Sequence, residues 1–213
     1  MKDSKKWPLW DKIYIAAKSI NTEIIKEIPK AKGVLADIGG SDTQFHNLFK
    51  PFIKKYICIN IKKTENQADE NLIGSAEKIP LPNNSVDTVL HTSVLEHVED
   101  PQKAVNEIYR ILKKYGICIL STNMAWIYHP DPKDCFRFTI DGSKYLFRNF
   151  SDVKIKPVGG YFATIIQFIV LGLAKIPIVS IPFIILLNLI ALPLDKMIKD
   201  NRLSMFVLIT AKK

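Results

Sequence analysis

Short apolar runs alternate with amphipathic stretches along most of the 213 residues, a pattern that predicts strands separated by helices. Residues 9–28 set Ile13, Ala16, Ala17, Ile20, Ile24 and Ile28 near helical spacing, and Pro29 ends that helix. Val34 to Ile38 is an apolar run stopped by Gly39-Gly40, as expected of a buried strand that closes in a tight turn. Six more strands are predicted at 56–61, 71–73, 86–90, 116–121, 153–158 and 203–211. Helices are expected at 45–52, from Pro101 through the apolar face Ala104, Val105, Ile108, Ile111 and Leu112, and from Thr139 to Phe147. Strands alternating with helices imply an α/β domain over residues 1–213 with a mostly parallel sheet and right-handed crossovers.

One region breaks the alternation. Between Tyr161 and Leu194 the only charged residue is Lys175. Residues 176–194 approach the roughly 20 apolar residues of a bilayer span, but Pro177, Pro182 and Pro193 interrupt them. If the strands at 153–158 and 203–211 share one sheet, the chain must leave and return on the same side. A single crossing is then excluded. The expectation is an apolar helical insert over 160–200 that either packs as a buried subdomain or dimer interface, or dips into or lies on a membrane. The membrane reading is preferred, because 34 residues this apolar exceed what so small a domain normally covers.

The formal charge of +9 comes mostly from lysines scattered along the chain, which reads first as a solvated surface and second as attraction to anionic lipid. No basic run is interleaved with aromatics, so nucleic acid is not an expected partner. Cys58, Cys118 and Cys135 are odd in number and widely spaced, against a disulfide framework or a zinc site, and no metal is expected. Residues 1–12 lack an apolar core, so no secretory signal is read, and the expected location is the cytoplasm or the inner face of a membrane. Trp7 and Trp10 flank Pro8 ahead of the first helix, suiting residues 1–30 to a lid or an interfacial anchor.

Chemistry concentrates in an ordered series. Val34-Leu35-Ala36-Asp37-Ile38-Gly39-Gly40 ends a strand in an acid and glycines, where a ligand can approach the backbone. Ile79-Pro80-Leu81-Pro82 through Asp87 then leads to Leu95-Glu96-His97-Val98, Asp100-Pro101 and Glu107-Ile108-Tyr109-Arg110. The series resembles the class I S-adenosylmethionine-dependent methyltransferases, in the branch that carries LEHV-x-D-P followed by E-I-x-R-x-L-K-x-x-G. Tyr128-His129-Pro130 through Arg137-Phe138-Thr139 is similar to a segment of members encoded near surface-glycan biosynthesis genes. The resemblance implies a Rossmann-like, mostly parallel seven-stranded sheet with an antiparallel last strand, and S-adenosylmethionine as cofactor.

It also implies roles for particular residues. Asp37, Gly39, Gly40 and Ser41 would face the methionine part of the cofactor, Asn60 its ribose, and Ser75 and Ala76 its adenine. His91 and Thr92 would line the floor near the sulfonium. His129 is the candidate general base, Asp134 would orient it or bind substrate, and Arg137 would hold a phosphate or carboxylate. Glu96-His97 reads as a buttress of its turn. The family's glycine-rich turn has Ser41 and Thr43 at its second and third glycine positions, and Asn60 and Ser75 stand where acids are usual, which predicts weakened cofactor contacts.

The expected function is methyl transfer, in the first instance O-methylation, to a small molecule, sugar or lipid-linked glycan near the cytoplasmic membrane face. An inactive Rossmann-like module that binds a partner or membrane through 161–194 is the alternative. Nicotinamide chemistry is disfavoured because G-x-G-x-x-G is absent.

Overall fold

The computed structural model describes residues 7–40, 44–176 and 180–213. Val34–Ile38 forms β1, buried in all but its first residue, as a strand covered on both faces must be. In chain order β2 (Lys55–Asn60), β3 (Glu70–Ile73), β4 (Val86–Thr92), β5 (Leu112–Asn123), β6 (Ser151–Val158) and β7 (Phe206–Lys212) complete one sheet in the order β3-β2-β1-β4-β5-β7-β6. Strands β1 to β5 run parallel, and β7 is antiparallel to both β5 and β6. The expected seven strands and antiparallel last strand are thus present. β6 is an outer strand, which tolerates Pro157 and carries Lys154 and Lys156 against unwanted pairing.

The period-2 pleat divides the core. Ala36, Ile38, Ile57, Ile59, Val89, Cys118 and Leu120 face α3 (Pro101–Ile111) and α4 (Ile140–Leu146). Leu35, Tyr56, Leu90 and Ile119 face α1 (Tyr14–Glu27), the single turn α2 (His46–Phe49), α5 (Tyr161–Leu173) and α6 (Ile181–Met197). Asp100 caps α3 by accepting from Lys103 N, with Pro101 at its first position, and Thr139 caps α4 through Gly142 N.

Some boundaries differ from those read in the sequence. α1 starts at Tyr14 rather than at residue 9, because the Asp11 carboxylate accepts from Ile13 N at 2.9 Å and Asp11 N donates to Pro8 O, which fixes a turn there. α2 stops before Pro51, well short of residue 52. Leu112 opens β5 instead of closing α3. It pairs with Val86, and the register shifts by the time Ile117 meets Thr88, so the chain passes from helix to strand without a separate loop.

The apolar insert is two helices leaving and re-entering the sheet through adjacent strands, β6 and β7. Among the described residues no helix is long and apolar enough to cross a membrane; α6, with 17 residues, reaches about 25 Å. Its inner face is integral to the core: Ala163, Ile166, Val170, Ile184 and Ala191 pack with Ile15, Ala16 and Ile20 of α1. Two buried amides stitch it to the chain ahead of α1. Gln167 accepts from Ala16 N at 2.9 Å and donates to Lys12 O at 2.6 Å, and Asn188 donates to Leu9 O at 2.6 Å and Asp11 O at 3.1 Å. Asp195 of α6 turns inward to accept from Gly160 N and Ala163 N at the start of α5. The outer face is left apolar, with Ile169, Phe183, Leu186, Leu189, Ile190 and Met197 exposed.

Candidate active site

The strand order reverses between β1 and β4, and ligands in such sheets bind beyond the carboxyl ends at that switch point. Asp37, Gly39 and Gly40 lie there. Gly39 has φ +87°, and a Cβ on it would come within 2.3 Å of Val94; a Cβ on Gly40 would come within 1.8 Å of the Asp37 carboxylate. Both glycines are therefore dictated by close approach. The turn is tied to β2, since Gly39 N donates to Ile59 O at 2.7 Å and the Cys58 thiol donates to Gly40 O at 2.8 Å. Burial pushes the Cys58 thiol up, which keeps it protonated for that bond. Asp37 is buried and receives the Tyr56 hydroxyl at 2.5 Å. Ser41 and Thr43 lie outside the described residues.

Asn60 ends β2, with its Oδ1 accepting from Ile61 N at 2.8 Å and its amide nitrogen unengaged among the described residues. It thus offers a donor where a carboxylate would offer acceptors, and a ribose hydroxyl can satisfy either. Ser75 is half-buried in a turn bridged to Lys78, and Ala76 beside it is buried. This loop is held from α3. Glu77 accepts from Asp100 N, Glu107 accepts from Ile79 N, and Arg110 donates to Ile79 O, Leu81 O and Asn83 Oδ1 at 2.8–2.9 Å. Hydrogen bonds from Arg110 hold the Glu107 carboxyl below its usual range. The E-I-x-R motif is therefore a clamp on the Ile79–Asn83 loop.

His91 and Thr92 close β4, but their surroundings differ. Thr92 is half-buried, whereas His91 has no exposed surface, and its Nδ1 meets Ile38 O at 2.9 Å. Burial pushes the imidazole down to about 4, so it is neutral and donates from Nδ1. His91 thus positions the end of β1 from within the sheet.

The acceptor side is built by the loop after β5, which docks on the turn after β4. Cys135 N and Phe136 N donate to Glu96 O, and Phe138 N donates to Asn123 O. Inside that loop Asp134, with its side chain 1% exposed, binds Arg137 through both oxygens and accepts from His129 N at 3.0 Å. The Arg137 bonds hold the Asp134 carboxyl far below the usual carboxylate range. All the N–H groups of Arg137 are engaged, by Asp134 and by the carbonyls of Trp126, Ile127 and Phe136. Arg137 and Asp134 therefore act as a clasp that shapes the loop and sets His129, with no donor left over for a substrate phosphate. His129 Nδ1 lies 3.0 Å from Ile127 O and 3.2 Å from Asp134 Oδ2, so its proton belongs on Nδ1 and its lone pair on Nε2.

Sequence reasoning did not bring one group together. Glu96 is fully buried, accepting from Thr122 Oγ1 and Asn123 Nδ2 at 2.8 Å each, and burial pushes its carboxyl up. The His97 and His129 rings stand edge to face beside it, centroids 5.0 Å apart. The Glu-His pair in the LEHV segment was the only available signal.

Residues 36–120 match the family model described as a methyltransferase domain. An uncharacterized protein from Methanocaldococcus jannaschii is 32% identical over 141 residues, covering 59% of this chain and 62% of that protein. The malonyl-[acyl-carrier protein] O-methyltransferase of Yersinia pestis is 28% identical over 96 residues, 42% of this chain and 36% of that enzyme. The chain thus spans less than two thirds of the length of these curated relatives. The crystal structure of an S-adenosylmethionine-dependent methyltransferase from Archaeoglobus fulgidus has a TM-score of 0.58 at 16% identity and 95% coverage of both chains, a shared fold. Motif series, strand order and domain match agree: residues 36–120 are similar to the methyltransferase-domain family, and the chain as a whole shares the Rossmann-like fold of S-adenosylmethionine-dependent methyltransferases.

Proposed function

We propose that this chain methylates a hydroxyl of a small molecule, sugar or lipid-linked glycan that sits against the loop after β5. The observation that carries the reading is His129, whose Nδ1 is held by Ile127 O and Asp134 while Nε2 keeps its lone pair. That is the tautomer a general base for a hydroxyl requires. S-adenosylmethionine, the family's cofactor, supplies an activated methyl group when bound. Asn60 and Ser75 suit its hydroxyl and amine edges, and the Gly39–Gly40 turn admits it to the backbone. The protein's own work is alignment, exclusion of water and removal of the acceptor's proton.

The exposed apolar face of α6 supports a membrane-side location. Lipid would cover Phe183, Leu186 and Ile190, gaining on the order of 1 kcal/mol for each half-exposed side chain, and Lys175, Lys196 and Lys199 would meet anionic headgroups.

Calorimetric titration of the full chain with S-adenosylmethionine and S-adenosylhomocysteine tests the enzyme reading. Saturable heat is expected, and none at millimolar ligand leaves only the inactive-module alternative. Flotation with anionic liposomes tests location. Deleting the insert would expose the α1 core, so the control is the triple substitution F183S/L186S/I190S, which should abolish flotation without lowering thermal stability. Equal flotation of both proteins removes the membrane reading.

A further inference from the structure

We propose that Glu96, His97 and His129 form a binding site for one divalent transition-metal ion of the zinc class. One ligand atom from each residue lies within 4.8 Å of the other two, in a group drawn from the turn after β4 and the loop after β5. Donors bound to an ion at about 2.0–2.2 Å sit roughly 3–3.5 Å from one another, so closure requires shifts of about 1 Å. Two of the three residues can move. His129 is about a third exposed on its loop and His97 is half-buried, whereas Glu96 is fixed.

The second layer around the three residues is the stronger argument. Metal-binding imidazoles typically hand their other ring N–H to a carbonyl or carboxylate, and ligating carboxylates are themselves hydrogen-bonded. Here His97 Nδ1 is bonded to Lys133 O, and His129 Nδ1 is shared between Ile127 O and Asp134. Both imidazoles are thereby fixed with Nε2 as the lone-pair nitrogen. Glu96 is braced by Thr122 and Asn123. The Cys135 and Phe136 amides on Glu96 O lock the two ligand-bearing segments together. These bonds set two imidazoles of matched tautomer beside a buried carboxylate, and the Asn123 amide that braces Glu96 also lies 3.5 Å from His129 Nε2, a contact an ion there would replace.

Two nitrogens and one oxygen suit Zn²⁺, Fe²⁺, Co²⁺ or Ni²⁺ better than Mg²⁺ or Ca²⁺, and three protein ligands leave positions open to a water or a substrate oxygen. Metal binding does not rest on the proposed function; an ion on His129 Nε2 takes up the lone pair proposed there as general base, so in the metal-bound protein the ion itself would acidify the acceptor hydroxyl.

The test uses the full chain without an affinity tag, stripped by chelator and titrated with Zn²⁺ and Co²⁺ in the absence of nucleoside ligand. One equivalent should bind, with Co²⁺ developing visible d–d bands. H97A and H129A should each lose at least about 100-fold in affinity while keeping the wild-type circular dichroism, and C135S should bind as wild type. No stoichiometric uptake overturns the site, as does undiminished uptake by H97A and H129A, or loss in C135S alone. Because no S-adenosyl ligand is present, failure here is separable from failure of cofactor binding.

Discussion

Replacing Gln167 with leucine asks whether the insert is a detachable addition or part of the domain. Gln167 is fully buried and serves two backbone groups on the far side of the chain. Ile13 stands at the N-cap of α1 and offers no capping side chain, so the acceptor for Ala16 N comes from Gln167, 151 positions away in sequence. In Q167L the buried Ala16 N–H loses its partner at a cost of about 1–3 kcal/mol. The Lys12 carbonyl belongs to an exposed residue, so water replaces its bond at little cost. The more apolar leucine offsets up to about 1 kcal/mol. The net loss centres on about 1–2 kcal/mol, a fall in Tm of roughly 2–8 °C for a chain of this size. Urea titration gives the free energy, and hydrogen exchange locates it: Ala16 should lose protection while the β4 and β5 amides keep theirs relative to global unfolding. A Q167L protein as stable as wild type, or one with Ala16 protection unchanged, would refute the reasoning.

Three further outcomes follow from the site. G39A should lower stability by about 1–3 kcal/mol, since φ +87° strains any L-residue and the new methyl meets Val94, and it should weaken S-adenosylhomocysteine binding in calorimetry. D134N should be less stable than wild type by about 1.5–3 kcal/mol near neutral pH. The Asp134 carboxyl is depressed in the folded state, so its contribution is complete above the unfolded value of about 4 and is lost as pH falls through the lower folded value. Urea titrations from pH 7 downward should show the two proteins converging only in strong acid, and a constant gap would contradict the clasp. R110M should free the Ile79 and Leu81 carbonyls, cost about 2 kcal/mol, and raise hydrogen exchange in the 79–83 loop ahead of α3.

The sheet was legible because each strand's identity is local: a run such as Val34–Ile38 between a turn and two glycines has little else to become. Boundaries were less so where a distant partner decides them. β5 begins at Leu112 because Val86 pairs with it, and α1 begins at Tyr14 because an Asp11 turn is held by Asn188. The site divides the same way. Asp37, Gly39 and Gly40 announce themselves through strand-turn chemistry. The grouping of Glu96 and His97 with His129 depends on how two loops dock, and nothing in either loop's spacing encodes it. The sequence reads Asp134 as orienting His129 or binding substrate and Arg137 as holding a phosphate or carboxylate; only the engagement of every Arg137 N–H separates a clasp from a substrate anchor.

The inward turn of Asp195 changes what the insert shows to its surroundings. Counted along the chain, that acid cancels one of the three lysines between 161 and 199. In the fold both its oxygens are turned to the first amides of α5, so the exposed charges beside the bare hydrocarbon are those of Lys175, Lys196 and Lys199. Whatever meets this surface should be held by two forces that salt separates: ionic strength weakens the approach over a Debye length of about 10 Å at 0.1 M and leaves the apolar contact intact.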